Sequence, residues 1–126
     1  MAEPVHRGRD VEAKRVETSW GVMRWVAGGE VGNAEGLTLG RVRIKAGQCN
    51  PRHCHRKCEE VLYLLKGRLE HTVGDERYAL EAGDAITVPA GVFHNATVVG
   101  DEDAEMIVAF SSAERDFVLE SEGSAG

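Results

Sequence analysis

Turn-forming residues recur along this chain at intervals of roughly eight to twelve residues. Glycine adopts backbone conformations that other residues avoid, and Asp and Asn side chains hydrogen-bond to the turn backbone, so clusters of them mark reversals of direction. The turn signals are Gly28-Gly29, Gly32-Asn33, Lys45-Ala46-Gly47, Lys66-Gly67, Gly74-Asp75, Ala82-Gly83-Asp84, Ala90-Gly91 and Gly100-Asp101. Such spacing is typical of an all-β sandwich or barrel.

The segments between these turns are too short for buried helices, and several are rich in Val, Ile, Thr or Tyr. They predict strands at 20–27, 37–44, 60–65, 69–73, 77–80, 85–88, 94–99 and 105–110. Beyond the last strand, Ser111 and Glu114 have the Ser-x-x-Glu spacing of a capping box, which predicts that a short C-terminal helix begins at Ser111. We therefore divide the chain into a flexible or docking arm at 1–15, one barrel domain at 16–120 and a frayed tail at 121–126.

The predicted strand at 60–65 is apolar at every position from Val61 to Leu65. Successive side chains of a strand point to opposite faces, and a small barrel buries only its inner face. The outer face of this strand is therefore expected to meet another layer of strands or a second subunit, which favours a homodimer.

The composition fits one domain and argues against several classes of partner. The chain has 126 residues, with 15 Lys and Arg against 21 Asp and Glu, and it shows no basic stripe of the kind that binds nucleic acid or anionic membranes. No apolar run approaches the ~20 residues of a membrane-spanning helix, and the N-terminal residues are charged rather than apolar as in a signal peptide. Three cysteines, Cys49, Cys54 and Cys58, do not suggest a disulfide framework, so we predict a cytoplasmic protein.

Four side chains stand at spacings that suit a metal ion. In an extended strand, His53 and His55 point to the same face about 7 Å apart at most, so both imidazoles can converge on one ion. Glu60 follows after a short turn and adds an oxygen donor beside the two nitrogens. Downstream, the Pro-Ala-Gly reversal at 89–91 fixes where His94 emerges, and a metal site needs such rigidity because ligand distances tolerate only about ±0.2 Å.

The same residues occupy every fixed position of two motifs, Gly-x5-His-x-His-x4-Glu-x6-Gly and Gly-x5-Pro-x-Gly-x2-His. The matching residues are Gly47, His53, His55, Glu60 and Gly67, followed by Gly83, Pro89, Gly91 and His94. In these motifs, and in the short segment 68–82 between them, the chain resembles the small single-domain members of the cupin superfamily. One position departs from the pattern, because the second motif often continues with Asn where this chain has Val98.

The resemblance covers roughly residues 37–110 and implies a double-stranded β-helix, or jelly-roll, barrel with one divalent transition metal inside. It implies that the metal ligands are His53, His55, Glu60 and His94. Three imidazole nitrogens and a carboxylate oxygen suit Mn, Fe, Co, Ni, Cu or Zn, and the affinity order alone does not choose among them. Since the only charged ligand is one carboxylate, a divalent ion would leave the site positive and able to attract an anionic small molecule.

Other interpretations of these residues stay open. A barrel can keep the motif and lose the metal, and Glu59 competes with Glu60 although it faces the opposite way along the strand. The three cysteines with a histidine could form a structural zinc site, but no Cys-x-x-Cys pair occurs. His71 is interpreted as a half-exposed strand residue rather than a pocket group.

Two functions of different classes remain open. One is a metal-dependent enzyme (an isomerase, lyase, decarboxylase or dioxygenase) acting on a small organic acid, a sugar derivative or an aromatic; the other is a non-catalytic module that binds a small molecule or a metal. Arg41 and Arg43 share one face of the predicted strand 37–44, where they either reach into the cavity or lie on a solvated outer face. Arginine inside the cavity would favour the enzyme, whereas an interior with no polar group besides the ligands would favour the module.

Overall fold

A computed structural model describes residues 4–123 as eleven strands and two short helices. The elements in chain order are α1 (Gly8–Ala13), β1 (Val16–Glu17), β2 (Gly21–Ala27), β3 (Thr38–Ile44), β4 (His53–Cys54), β5 (Glu60–Lys66), β6 (Arg68–Val73), β7 (Glu76–Glu81), β8 (Ala85–Val88), β9 (His94–Val98), β10 (Ala104–Phe110), β11 (Val118–Leu119) and α2 (Glu120–Gly123). Eight of these strands lie within two residues of the boundaries that the turn signals predict. The short strands β1 and β11 were not predicted, and the extended segment expected at His53 and His55 is the short strand β4, which ends at Cys54.

The strands form two antiparallel sheets that face each other. One sheet has the order β1-β2-β3-β10-β5-β8, and the other has the order β11-β4-β9-β6-β7. Consecutive strands such as β4 and β5, or β8 and β9, lie in opposite sheets, so the chain repeatedly crosses between the two layers. This arrangement confirms the predicted all-β jelly-roll, and it brings residues from both layers to one interior.

The interior is filled by alternate residues of the central strands. In β5 and β10 every second side chain is buried, and the fully buried apolar side chains include Ile44, Leu64, Leu69 and Met106. Removing several such side chains from water stabilises the fold by about 1.5–3 kcal/mol each before entropy is counted. The core therefore lies between the sheets, independently of any metal.

The helix predicted to begin at Ser111 is not observed, and the chain bends there instead. The Ser111 hydroxyl accepts a hydrogen bond from the backbone N–H of Glu59, and the Ser112 carbonyl accepts one from the Thr38 hydroxyl. These tertiary hydrogen bonds use the groups that would otherwise begin a helix. The C-terminal helix, α2, starts at Glu120.

The two ends of the chain are only partly covered by the structure. Within the predicted arm, α1 packs beside β2, and Glu12 accepts two hydrogen bonds from the Arg24 guanidinium, at 2.6 and 3.2 Å. The predicted tail begins inside α2, and its last residues, 124–126, lie outside the described part of the chain. Among residues 4–123, no helix is long and apolar enough to cross a membrane.

The outer face of β5 is not covered by another strand layer of this chain, contrary to one of the two expectations for it. Val61, Tyr63 and Leu65 are exposed by 39, 44 and 44 % in the single chain. A second subunit therefore remains the only partner proposed for this face.

Candidate metal centre

Three short strand segments bring the four predicted ligands together from both sheets. His53 lies in β4 directly opposite His94 of β9, and Glu60 begins β5 in the other sheet. His55 follows β4 by one residue, after the strand has ended. All four side chains are buried, with exposures between 2 and 7 %. The motif residues thus meet because the jelly-roll stacks the first motif against the second.

The donor atoms are close enough to share one ion. One ligand atom from each of the four residues lies within 4.8 Å of the others. The Oε1 atom of Glu60 is 3.0 Å from Nε2 of His94 and 3.3 Å from Nε2 of His55. Bonds of about 2.1 Å would place neighbouring donors of an octahedral ion about 3.0 Å apart, which agrees with these separations.

Backbone carbonyls orient three of the imidazoles. Nδ1 of His53 lies 2.7 Å from the Pro51 carbonyl oxygen, and Nδ1 of His94 lies 2.9 Å from that of Val92. Nδ1 of His55 lies 2.6 Å from the carbonyl oxygen of residue 116. Because a carbonyl can only accept, each Nδ1 donates its proton to it, which leaves Nε2 as the ring nitrogen that faces the site.

The charge states of the buried ligand side chains favour a bound cation. Burial, together with neighbouring His94, lowers the pKa of His53 to about 4, so this imidazole is neutral at pH 7. Although burial opposes it, contact with His55 and His94 lowers the pKa of Glu60 well below its usual range, so the carboxylate stays ionised. Nε2 of His55 is buried without a hydrogen-bond partner. Nε2 atoms and a carboxylate that converge in this way fit a shared ion, and the donor set of three nitrogens and one oxygen makes a site for one divalent transition metal.

The site is the floor of a cavity of about 370 Å³ that opens to the surface. Most of its wall is apolar. The apolar and weakly polar wall residues include Trp20, Met23, Trp25, Val42, Leu62, Met106, Val108, Phe110 and Phe117. Phe117 stacks on the His53 ring at 4.8 Å while remaining 47 % exposed, so it stands between the metal residues and the surface.

A cation that the sequence did not indicate, Arg115, reaches this cavity from the segment after β10. Its guanidinium carbon lies 4.4 Å from the centre of the Trp25 ring, 5.4 Å from that of Phe110 and 5.8 Å from that of Phe117. Within residues 4–123, its guanidinium makes no hydrogen bond and no ion pair. No periodic pattern surrounds this residue in the sequence, and the only signal is an arginine between two phenylalanines.

The prediction that His71 is half-exposed is wrong. His71 is 1 % exposed and lines the cavity, where its ring stacks on His94 at 5.9 Å with 9° between the planes. Its Nδ1 atom is buried without a hydrogen-bond partner. The signal was present in the alternation of β6, since Leu69, two residues earlier on the same face, is a core residue.

The competing candidates lie outside the site. Arg41 and Arg43 are on the outer face of β3, about half exposed, with guanidinium nitrogens 3.7 and 3.3 Å from the Glu105 carboxylate. Glu59 is exposed on the side of the chain away from the interior. The three cysteines are free and do not belong to the group of converging ligand atoms, which argues against the cysteine zinc site.

Comparison with known proteins agrees with this geometry. The family model described as Cupin domain matches residues 40–110, which is more than half of the chain. Germin-like protein 3-8 of Oryza sativa subsp. japonica is 35 % identical over 86 residues, which cover 64 % of this chain and 38 % of that protein. Oxalate oxidase 1 of Hordeum vulgare is 31 % identical over 88 residues, which cover 64 % of this chain and 44 % of that protein. The chain thus spans about two fifths of the length of the curated relatives it matches.

Solved structures share the fold at lower sequence identity. An oxalate decarboxylase of Lactobacillus farciminis, in complex with formate, superposes with a TM-score of 0.81 at 22 % identity, covering 89 % of this chain and 35 % of that one. An oxalate oxidase superposes with a TM-score of 0.76 at 24 % identity, covering 87 % of this chain and 61 % of that one. At these identities the superpositions establish the jelly-roll fold and no more.

Proposed function

The chain belongs to the cupin family, and from that membership we propose that it is a metal-dependent enzyme acting on a small organic acid. In this proposal His53, His55, Glu60 and His94 hold one divalent transition metal. The observation that carries the proposal is the position of these four donors on the floor of an open cavity, where a bound ion can be reached by a small molecule.

The side chains of the cavity support this chemistry in separate ways. The four donors hold the ion, and the three backbone carbonyls keep the imidazoles in the tautomer that binds it. A metal at this position supplies Lewis-acid activation of a bound carboxylate or carbonyl. The apolar wall excludes water from the acid, which strengthens its electrostatic attraction to the positive centre.

The names of the relatives favour decarboxylation or oxidation among the reactions open to such a site. Relatives named oxalate oxidase and oxalate decarboxylase carry the same fold, and one study of the Bacillus subtilis oxalate decarboxylase describes Mn(II) centres. We therefore put manganese first among the candidate ions. The acid itself is proposed only as a class, since the chain matches less than half of those relatives' length.

A non-catalytic binding module is the second candidate. Glu60 is the only carboxylate that lines the cavity among the described residues, and it belongs to the metal site, so no carboxylate remains there as a separate base. Besides the ligands, four polar side chains line the cavity, namely Thr18, Asn50, His71 and Arg115, which favours the enzyme. Turnover distinguishes the two functions, since a module binds without consuming its ligand.

Turnover is tested with purified protein loaded in turn with Mn, Fe, Co, Ni, Cu and Zn. Each form is offered oxalate and a panel of small mono- and dicarboxylates, in air and without oxygen, while carbon dioxide release, oxygen uptake and loss of the acid are measured. We expect one metal form to consume an acid and its Glu60→Gln variant to do so at least about 100-fold more slowly. Stoichiometric metal without consumption of any acid would establish the binding module instead.

We also propose that the chain forms a homodimer through the outer face of β5. Val61, Tyr63 and Leu65 form an apolar strip there, beside the charged cluster of Arg41, Arg43 and Glu105. An apolar centre with a polar rim has the composition of a protein–protein interface. The free state of all three cysteines supports a reducing compartment, and on that ground we propose a cytoplasmic location.

The dimer is tested by size-exclusion chromatography with light scattering. The wild-type protein is expected to have twice the mass of the chain, and Tyr63→Lys is expected to shift it to the monomer by placing a charge in the interface. Tyr78→Lys, an equally exposed tyrosine in the other sheet, is the matched control and should leave the mass unchanged. A wild-type protein that is monomeric at all concentrations contradicts the dimer.

A further inference from the structure

We propose that Arg115 binds the carboxylate of the substrate, and that the substrate is a monocarboxylate with an apolar body rather than a compact polar acid. This proposal rests on the proposed function and specifies its substrate class. It follows from the environment of the guanidinium and from the composition of the cavity wall.

The position of Arg115 leaves its hydrogen-bond donors available. Its guanidinium carbon lies over the Trp25 ring and near the rings of Phe110 and Phe117. Aromatic contacts use the face of the planar guanidinium, whereas its five N–H groups lie in the plane and point outward from its edge. Since the guanidinium makes no hydrogen bond or ion pair within residues 4–123, its edge is free to bind both oxygens of a carboxylate.

No carboxylate within residues 4–123 forms an ion pair with the guanidinium, although several lie near it. Burial lowers the pKa of Arg115 from its usual value, with Glu60 and Glu30 acting in the opposite direction, but an arginine remains charged at neutral pH. Glu60 is the carboxylate of the metal site, and a bound divalent ion would neutralise it. A partly buried cation of this kind gains from an anion supplied by a ligand.

The remaining wall of the cavity determines what accompanies the carboxylate. Most other lining side chains are apolar, among them Trp20, Met23, Leu62 and Val108, and the polar exceptions are Thr18, Asn50 and His71. A second charged group placed against these side chains, away from both the metal and Arg115, would lose its hydration without gaining a partner, whereas a hydrocarbon group would bury apolar surface there. The volume of about 370 Å³ lies in the range of about 300–1,000 Å³ of small-molecule sites, so it accommodates such a body.

The test measures binding by isothermal titration calorimetry, on metal-free and on manganese-loaded protein, so that it does not depend on turnover. The ligands are acetate, butanoate, hexanoate and phenylacetate, with butanedioate as the compact dicarboxylate and phenylacetamide as the uncharged analogue of phenylacetate. We expect affinity to rise from acetate to hexanoate and phenylacetate. Butanedioate and phenylacetamide are expected to bind at least about tenfold more weakly than phenylacetate.

The variants are Arg115→Gln and Arg115→Lys, with Arg43→Gln as the matched control on the outer face of β3. Because Arg115→Gln removes charge-assisted hydrogen bonds, it is expected to weaken the binding of phenylacetate about 10- to 100-fold. Arg115→Lys keeps the charge and is expected to weaken this binding less. Arg43→Gln should bind as the wild type does. Circular dichroism and metal content show whether each variant is folded; if Arg115→Gln is not, Arg115→Lys and the acid–amide comparison decide the question.

Two results would overturn the inference: equal affinity of Arg115→Gln and wild type for phenylacetate, or equal affinity of the acid and its amide. If butanedioate binds most tightly of these ligands, the proposal that the substrate has an apolar body is wrong. If the ligands bind in an Arg115-dependent way but no metal form turns them over, the proposed enzyme is refuted, whereas the proposed ligand class is supported. The two failures are therefore distinguishable.

Discussion

Replacing His94 by alanine is expected to reduce the bound metal from about one ion per chain to almost none. His94 contributes one of four converging donors, and its Nε2 lies 3.0 Å from Glu60 Oε1 at the centre of the site. Loss of an outer partner of a ligand costs about 10–100-fold in metal affinity, so loss of the ligand itself should cost more. His53→Ala is expected to behave in the same way. Elemental analysis of protein dialysed against metal-free buffer measures the effect.

His71→Ala is the control that separates the metal ligands from their surroundings. His71 is equally buried and stacks on His94, but it does not belong to the four converging donors. The His71→Ala variant should therefore keep most of its metal. All variants should retain their β-sheet circular dichroism, because the core around Ile44, Leu64 and Met106 does not involve the site. Equal metal content in the wild type and in both ligand variants would show that these histidines do not hold the ion.

Removing the metal is expected to lower the melting temperature of the wild-type protein by roughly 15 °C. A metal that binds only the folded state at about 1,000 times its dissociation constant stabilises that state by about 4 kcal/mol. For a domain of this size, each kcal/mol shifts the melting temperature by about 4 °C. Differential scanning calorimetry of the chelator-treated protein and of the same protein reloaded with manganese measures the difference.

The physical cause of this shift lies in the buried polar groups. Without an ion, Nε2 of His94 is hydrogen-bonded to Oε1 of Glu60 at 3.0 Å, and Nε2 of His55 is buried without a hydrogen-bond partner. Buried polar atoms of this kind are costly until a cation satisfies them. His94→Ala should show no response to manganese, which serves as the control. A melting temperature that is the same with and without metal in the wild type would contradict the metal site.

The sequence predicts the strands and the metal residues because both depend on local spacing. Turns at regular intervals limit the length of each extended segment, and alternation puts His53 and His55 on one face. The resemblance to the cupin motifs then relates His94 to the first motif although the two are far apart in sequence. In the structure His53 and His94 are directly opposed in β4 and β9.

The tertiary structure alone decides which face of a strand is inside and where the irregular segments lie. From the sequence, Arg41 and Arg43 could line the cavity or lie on the surface, and the packing of the two sheets places them on the surface. Arg115 follows the last long strand in a segment with no periodicity, so only the folded chain shows that it meets Trp25. Local spacing fixes the relative orientation of neighbouring side chains, whereas the interior is defined by how distant strands pack. The metal ligands could therefore be identified from the sequence, and the groups that surround a bound ligand could not.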